Sequence, residues 1–259
     1  MLDGVVEIQG AGAGEHLEFA FGEPVQPCRV VVVGACGVGV SGGFEVQTYT
    51  DVEIEHALRR DPRSGLIERR RRPFAWRRET AIADTAAQLL ADGKLLGVFH
   101  GPSELGPRAL GARSILADPR TTTTRDRLNE TIKHREPFRP FAPAVLADHA
   151  QAWFNLDLAS PFMLLAPTVR PGNAERIPAV VHVDRTARVQ TVDPAASPHL
   201  AAILHAFHQR TGVPILLNTS FNDREPIVET PAHALATFQA SGLDALCIGD
   251  YLVEATPTA

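Results

Sequence analysis

Residues 101–145 read GPSELGPRALGARSILADPRTTTTRDRLNETIKHREPFRPFAPAV, and their reading decides the rest of the chain. Arg108, Arg113, Arg120, Arg125, Arg127, Lys133, Arg135 and Arg139 all fall inside this stretch. A guanidinium presents a planar fork that takes phosphate or carboxylate oxygens two at a time, and an ammonium adds a compact point charge. Gly101, Gly106 and Gly111 let backbone approach a ligand closely. Pro137, Pro140 and Pro143 exclude helix and favour an extended run. The stretch therefore reads as an anion-binding wall of strands and turns. Lys133 and Arg135, two positions apart, share a face if the chain is extended. Downstream, LLNTSFN (216–222) places Asn218, Ser220 and Asn222 on one side under the same assumption. The K-x-R and S-x-N segments read as two edges of one polar pocket.

Upstream, KLLGVFH is a short apolar run that predicts a buried strand delivering His100 and Gly101 to its end, where ligands collect. His100 reads as a packing or hydrogen-bonding residue. Residues 79–92 carry Ile82, Ala86, Leu89 and Leu90 at helical spacing, and Gly93 suits the helix end. Residues 44–78 read as a helix followed by a basic linker. Thr50 caps the helix, Ile54, Ala57 and Leu58 form its apolar side, and Phe74 and Trp76 are the linker's anchors. Residues 1–43 form a glycine-rich leader with short apolar pieces, VVEIQ, EFAFG and RVVVV, that suit two or three strands. The run GACGVGVSGG lacks the Lys-Ser/Thr ending of a phosphate loop and reads as loop.

Downstream, a short helix is expected over 124–133, with Thr124 as its cap and Arg127 facing solvent. ADHAQAWFNL continues as another helix that buries Trp153 and Phe154. PFMLLAPTV reads as a central strand, and AVVHVD and RVQTV as two further strands. His182 and Asp184 share a face there, but no third ligand lies nearby, so His182 reads as a polar pocket residue rather than a metal ligand. SPHLAAILHAFHQRTG is a helix with Leu200, Ile203, Leu204 and Phe207 inward and His205 and His208 outward. VPILLN is a strand, TPAHALATFQASG a helix opened by Pro231, and LDALCIGDYLV closes the sheet. EATPTA reads as a disordered tail over 255–259. The strand–helix alternation predicts an α/β (α+β) sheet domain.

The chain has 259 residues and a formal net charge of -5, so its cations are a local feature on an acidic background. That balance excludes bulk nucleic-acid binding. Cys28, Cys36 and Cys247 are too few and too scattered for a zinc pattern or a disulfide framework, and Cys247 reads as core. The opening MLDGVVEIQ lacks a signal-peptide pattern, and the RVVVVGACGVGV run is too short and glycine-rich to span a bilayer. No membrane association is expected, and a cytoplasmic location is.

GPRALGARSILADPR, KHREPFRPFAPAVL, PAVVHVDRTARVQTV and TGVPILLNTSFN with EPIVETP resemble, in order, the carboxy-terminal domain of the NodU/CmcH-type O-carbamoyltransferases. The resemblance covers about residues 90–253, and more weakly 44–58. It implies a YrdC-like open twisted mixed β-sheet flanked by helices over 79–254, which forms carbamoyl-adenylate from ATP and carbamoyl phosphate. Mg2+ would accompany ATP, with no transition metal held by this chain. The products of such enzymes are carbamoylated antibiotics and nodulation factors. Joining two polyanions needs fixed cations to offset their repulsion, which gives Arg108, Arg113, Lys133, Arg135 and Arg139 a purpose. Ser220, Asn218 and Asn222 suit the neutral, planar carbamoyl group. By resemblance, Lys133, Arg135 and Ser220 are catalytic candidates; Asn222, Ser114 and Arg188 join Asn218, His182 and the remaining arginines as substrate-binding candidates.

This chain departs from the family pattern in several places. The family's amino-terminal metal-binding transferase domain has no counterpart in residues 1–43, which implies a separate transferase subunit or a full-length paralogue as partner. Gly101-Pro102 stands where the family shows Gly-Arg, Arg185 where it shows glycine, and the loop before Glu225 is one residue short. Two alternatives stay open beside the adenylating half-enzyme: a non-catalytic nucleotide-binding or regulatory module, and a threonylcarbamoyl-adenylate synthase, against which the GPRALG and TARVQ motifs speak.

Overall fold

The computed structural model of this chain describes residues 5–8, 29–32, 43–45, 48–60, 72–104, 106–134, 136 and 139–256. The chain divides into two compact units, Met1–Thr48 and Tyr49–Ala259. In the first, β1 (Val5–Ile8) runs parallel to β2 (Arg29–Val32), which pairs antiparallel with β3 (Gly43–Glu45). Val5–Ile8 and Arg29–Val32, the described parts of VVEIQ and RVVVV, are thus strands, as their apolar content predicts. EFAFG, residues 34–42 of the glycine run, and Cys28 lie outside the described residues, Cys36 being part of that run.

The second unit begins with α1 (Asp51–Arg59). Thr50 and Glu53 cap it reciprocally: the Glu53 amide donates to Thr50 Oγ1 at 3.3 Å and the Thr50 amide to Glu53 Oε2 at 2.8 Å. Then follow β4 (Phe74–Arg78), α2 (Ile82–Ala91), β5 (Leu96–Phe99), β6 (Arg113–Ala117) and α3 (Thr122–Leu128). A π-helical turn, Asn129–Lys133, leads to β7 (Ala142–Leu146), α4 (Ala147–Trp153) and β8 (Gln190–Val192). The chain closes with α5 (Pro198–Thr211), β9 (Ile215–Ser220), α6 (Pro231–Ala240), β10 (Ala245–Ile248) and β11 (Tyr251–Ala255). One eight-stranded sheet, ordered β4-β11-β10-β5-β6-β9-β7-β8, carries the unit. The β5/β10 and β7/β8 pairs are parallel and the others antiparallel. The expected mixed open sheet with flanking helices is what forms.

Strands β5, β6, β7 and β10 are buried at every position, so both faces of the sheet centre are covered. Helix α2 packs on α5, and α1 on α6. Gly93, at φ 77, ends α2 by donating its amide to the Leu90 carbonyl. Cys247 is core, and burial pushes its thiol up to about 12. Among the described residues no helix is long and apolar enough to cross a membrane.

Several expectations need correction. Residues 74–78, read as the end of a basic linker, form an edge strand on β11, because Phe74 and Trp76 alternate inward with period two. PFMLLAPTV is not a sheet strand. Prolines 161 and 167 remove amide donors, Met163 sits at φ 56, Leu164 is 81% exposed, and the segment makes only isolated bridges such as Leu165 to Val189. AVVHVD likewise forms a 3-10 turn, Pro178–Val180, and a tight turn in which the Arg185 amide donates to the His182 carbonyl. Arg127 does not face solvent freely; it clamps Asp244 through two bonds of 2.8 and 2.9 Å. Thr124 lies inside α3 rather than capping it. His208 is half-buried and meets His149 edge to face at 4.6 Å, while His205 is exposed as expected. Strand β11 runs through Ala255, into the stretch read as a tail.

Candidate functional site

Strand register decides which side chains can meet. Ser114 on β6 lies directly opposite Ser220 on β9, and Leu116 opposite Asn218. Ala142 on β7 also faces Asn218, and Ala144 faces Gln190 on β8. Side chains alternate along a strand, so Ser114, Ser220, Asn218 and Gln190 share one face. Their bonds agree: Asn218 Nδ2 donates to Gln190 Oε1 at 2.7 Å and to the Ala109 carbonyl at 3.2 Å. Gln190 Nε2 in turn donates to the Leu110 carbonyl at 2.7 Å. Two strands thereby hold the GPRALG loop, residues 106–111, against this face.

Lys133 reaches the same face from the end of the π-helical turn. Its ammonium donates to the Ser220 carbonyl at 2.7 Å, Ser220 Oγ at 3.3 Å, the Asn222 carbonyl at 2.8 Å and Asn222 Oδ1 at 2.9 Å. Ser220 Oγ also donates to Asn222 Oδ1 at 2.6 Å. K-x-R and S-x-N are therefore two edges of one polar assembly on the lysine side. Lys133 is not in extended chain, however; it ends a helical turn, and His134 follows at φ 46, a left-handed position. His134 Nε2 lies 3.3 Å from Asp223 Oδ1, a second tie between the same two segments. Arg135 lies outside the described residues.

Arg108, Arg188 and His182 are linked through their charges. Burial first, and then the Arg108 charge, pulls the Arg188 guanidinium below its ordinary value. Burial also lowers His182, with Asp184 opposing and Arg188 reinforcing that shift. Each of these groups thus feels the next. Among the described residues Arg108 and Arg188 have no carboxylate partner, and the buried Arg188 Nε and His182 Nε2 have no hydrogen-bond partner. His182 Nδ1 is 3.0 Å from Thr186 Oγ1. Ser114 Oγ and Asn218 Oδ1, on the sheet face itself, are also buried and unpartnered. Charge-coupled cations with no acid partner among the described residues, together with orphaned neutral polar atoms, are what an anion with a small polar head would complete.

Residues 87–255 match the family profile described as carbamoyltransferase C-terminus. The chain belongs to that family. It is 49% identical over 177 residues to the nodulation protein NolNO of Sinorhizobium fredii, which covers 67% of this chain and 26% of that protein. It is 45% identical over 184 residues to NolO of Bradyrhizobium diazoefficiens, covering 70% and 34% respectively. The 3'-hydroxymethylcephem-O-carbamoyltransferase of Amycolatopsis lactamdurans is 37% identical over 179 residues, 69% of this chain and 34% of that enzyme. The chain thus spans between 26% and 34% of the length of these curated relatives. Among solved structures, full-length HypF in its phosphate- and nucleotide-bound form is similar with a TM-score of 0.43 at 16% identity, over 70% of this chain and 22% of that one.

The carbamoyltransferase domain does not gather every candidate cation on one face. Arg113 lies on the opposite side of the sheet from its neighbour Ser114. It is fully buried, its guanidinium carbon is 3.6 Å from the Phe99 ring centre, and burial holds its pKa down. Its Nη1 donates to the carbonyls of His100, Gly101 and Ala112 at 3.3, 3.1 and 2.9 Å. Arg139 is exposed, with Glu136 at 3.7 Å. Arg120 and Arg125 are taken by Asp118 and Asp126.

Some residues that shape the site are not singled out by sequence reasoning. Glu104 Oε1 accepts from the amides of both Leu110 and Ala112 at 2.7 Å. Glu225 accepts from Thr237 Oγ1 at 2.6 Å, and its carbonyl takes Asn222 Nδ2 at 2.8 Å. Gln190 bridges Asn218 to the loop. The signal was present for Glu104, an acid in a cation-rich, glycine-rich stretch. For Gln190 it was the polar break in an apolar strand.

Proposed function

We propose that this domain binds ATP and carbamoyl phosphate and forms carbamoyl-adenylate, for O-carbamoylation of a natural product by a transferase domain or subunit outside this chain. One observation carries the reading: Asn218 and Gln190 hold the loop that carries Arg108 against the sheet face that presents Ser220, and the Arg108 charge acts on half-buried Arg188, neither arginine having an acid partner among the described residues. Two adjacent guanidiniums repel unless an anion joins them, and phosphate fits both forks. The neutral end of the site suits a carbamoyl group. Ser114 Oγ can donate to its carbonyl, and Asn218 Oδ1, whose amide is oriented by its two Nδ2 bonds, can accept from its NH2.

Lys133 is placed to meet developing charge. Its ammonium is held by oxygens of Ser220 and Asn222, and one of those bonds would be exchanged for a phosphate oxygen when the substrate binds. Arg135 follows the left-handed His134, and its catalytic role rests on the family resemblance. The donors gathered here are cations and amides, which fit phosphate oxygens rather than a metal ion, so magnesium enters as part of the substrate MgATP. Family membership and the cephem carbamoyltransferase among the relatives support carbamoyl transfer as the overall chemistry, and the relatives' greater length supports a further domain for the transfer step.

Adenylate formation consumes water, releases inorganic phosphate from carbamoyl phosphate, and displaces pyrophosphate from the α-phosphorus of ATP. The test is to incubate the chain with MgATP and carbamoyl phosphate and follow both pyrophosphate release and exchange of labelled pyrophosphate into ATP. Carbamoyl phosphate-dependent exchange supports the reading. Tight nucleotide binding without exchange overturns it in favour of a regulatory module, and exchange that requires threonine overturns it in favour of a threonylcarbamoyl-adenylate synthase.

A further inference from the structure

The loop that carries Arg108 is exposed at residues 106–108, yet it is tied down from within. Three sets of bonds hold it. At its base, the His100 amide donates to the Ala112 carbonyl at 3.0 Å, and buried Arg113 gathers the His100, Gly101 and Ala112 carbonyls. On its sheet side, Asn218 and Gln190 hold the Ala109 and Leu110 carbonyls. Inside, one carboxylate oxygen of Glu104 takes the Leu110 and Ala112 amides. Next door, Ser103 Oγ donates to Glu229 Oε1 at 2.9 Å, anchoring the segment that presents Glu104.

These ties divide the work by chemistry. Arg113 and the two amide side chains satisfy loop carbonyls, and Glu104 satisfies loop amides. Burial pulls the Arg113 guanidinium below its ordinary value, and the Glu104 charge is the first to oppose that effect. Without Glu104 two adjoining amides lose their acceptor, and a loop with Gly106 and Gly111 at φ 117 and 128 has many other conformations open to it. Arg108 lies in the loop's exposed part, and its charge acts on Arg188.

The geometry points to Glu104 as the positioning residue of this site: by holding the Leu110 and Ala112 amides it fixes the 106–112 turn that carries Arg108, and it acts on substrate only through Arg108. The inference rests on the proposed anion-binding role of that arginine. It differs from a catalytic or metal-holding role for Glu104 because it needs only a carbonyl-type acceptor at this position, not a charge.

The test uses the full chain and the variants Glu104→Ala, Glu104→Gln, Arg108→Ala and the Glu104→Ala/Arg108→Ala double. Amide hydrogen exchange over 106–112 reads the turn itself, without ligand. The Leu110 and Ala112 amides should exchange at least about tenfold faster in Glu104→Ala and stay protected in Glu104→Gln, with strands β6 and β9 unchanged. Carbamoyl phosphate-dependent pyrophosphate exchange reads the consequence. Glu104→Ala should raise KM about tenfold or more with a smaller change in kcat, Glu104→Gln should restore most of the loss, and the double variant should be no worse than Arg108→Ala alone. Unchanged protection of Leu110 and Ala112 in Glu104→Ala overturns the inference whatever the activity. So does an undiminished Glu104→Ala effect in the Arg108→Ala background, or a Glu104→Gln variant as impaired as Glu104→Ala. Wild-type protein that shows the protection but no exchange activity refutes the proposed function and leaves the turn-forming role standing.

Discussion

Lys133 Nζ lies 2.7 Å from the Ser220 carbonyl and 3.3 Å from its hydroxyl, joining residues separated by 87 positions in the chain. This contact closes the site, because it pins the end of the π-helical turn to the end of β9. It also places a positive charge over a hydroxyl that already donates to Asn222.

Replacing Lys133 by alanine should lower kcat/KM for adenylate formation by about a hundredfold or more, the scale of losing one preorganised charge at a developing anion. It should also cost about 1–3 kcal/mol of stability, since oxygens of Ser220 and Asn222 lose their donor. Pyrophosphate exchange and urea denaturation read the two effects separately.

Arg188→Ala should separate binding from stability in the opposite sense. The half-buried guanidinium feels the Arg108 charge and has no acid partner among the described residues, so removing it relieves repulsion and desolvation. Stability should hold or rise by about 0.5 kcal/mol, while KM for the anionic substrates rises about tenfold or more. A clear loss of stability would show instead that Arg188 serves the fold.

The stacked rings of His100 and His199, 3.9 Å apart and 5° from parallel, predict an acid-labile fold. Burial, and then the charge of His100, lowers His199 to about 3, with Asp250 opposing. Burial lowers His100 as well, with Asp250 opposing and Arg113 reinforcing. Both rings are therefore favoured as neutral in the folded state, whereas in the unfolded chain they protonate near pH 6.5. Their contribution is complete above about pH 6.5 and drains away as the pH falls towards about 3. A ring that stays neutral in the fold while the unfolded chain protonates loses about 1.4 kcal/mol for each pH unit crossed, so the total is a few kcal/mol. Thermal melts between pH 7 and 4 should show this slope, and His199→Gln should flatten it.

Arg185 occupies left-handed backbone at φ 63, in the tight turn that follows His182. Glycine adopts that conformation freely, and an arginine there costs about 1 kcal/mol. Arg185→Gly should raise stability by about that amount in urea, with kinetics unchanged within about twofold. A neutral or destabilising result would mean the arginine side chain makes a compensating contact.

Local pattern makes much of this chain legible in its sequence. The Thr50 cap, the period of residues 82–91, the apolar run of β5 and the β9 strand with its S-x-N end depend on neighbours within a few positions, and each formed as its pattern predicts. The polar pairing of Lys133 with Ser220 and Asn222 was legible too, as a composition match between distant motifs. The pattern misleads where apolar content is read as pairing. PFMLLAPTV has the residues of a strand, but its prolines and exposed Leu164 keep it off the sheet. Phe74 and Trp76 look like anchors of a linker because the basic residues around them mask a two-residue alternation.

What the sequence by itself determined is the inventory: a cation-rich, glycine-hinged segment, an amide- and hydroxyl-bearing strand end, and the helices and strands that deliver them. Tertiary structure alone decided which cations serve the site. Arg113 and Ser114 are adjacent, yet β6 sends one to Phe99 and the other to face Ser220. Arg127 finds Asp244 from 117 positions away and is withdrawn from any ligand, whereas Arg188 feels the Arg108 charge and neither finds an acid among the described residues. The reason is geometric: side-chain type is written locally, but a strand's face and a cation's partner depend on register and on contacts between distant segments, which exist only once the eight-stranded sheet has assembled.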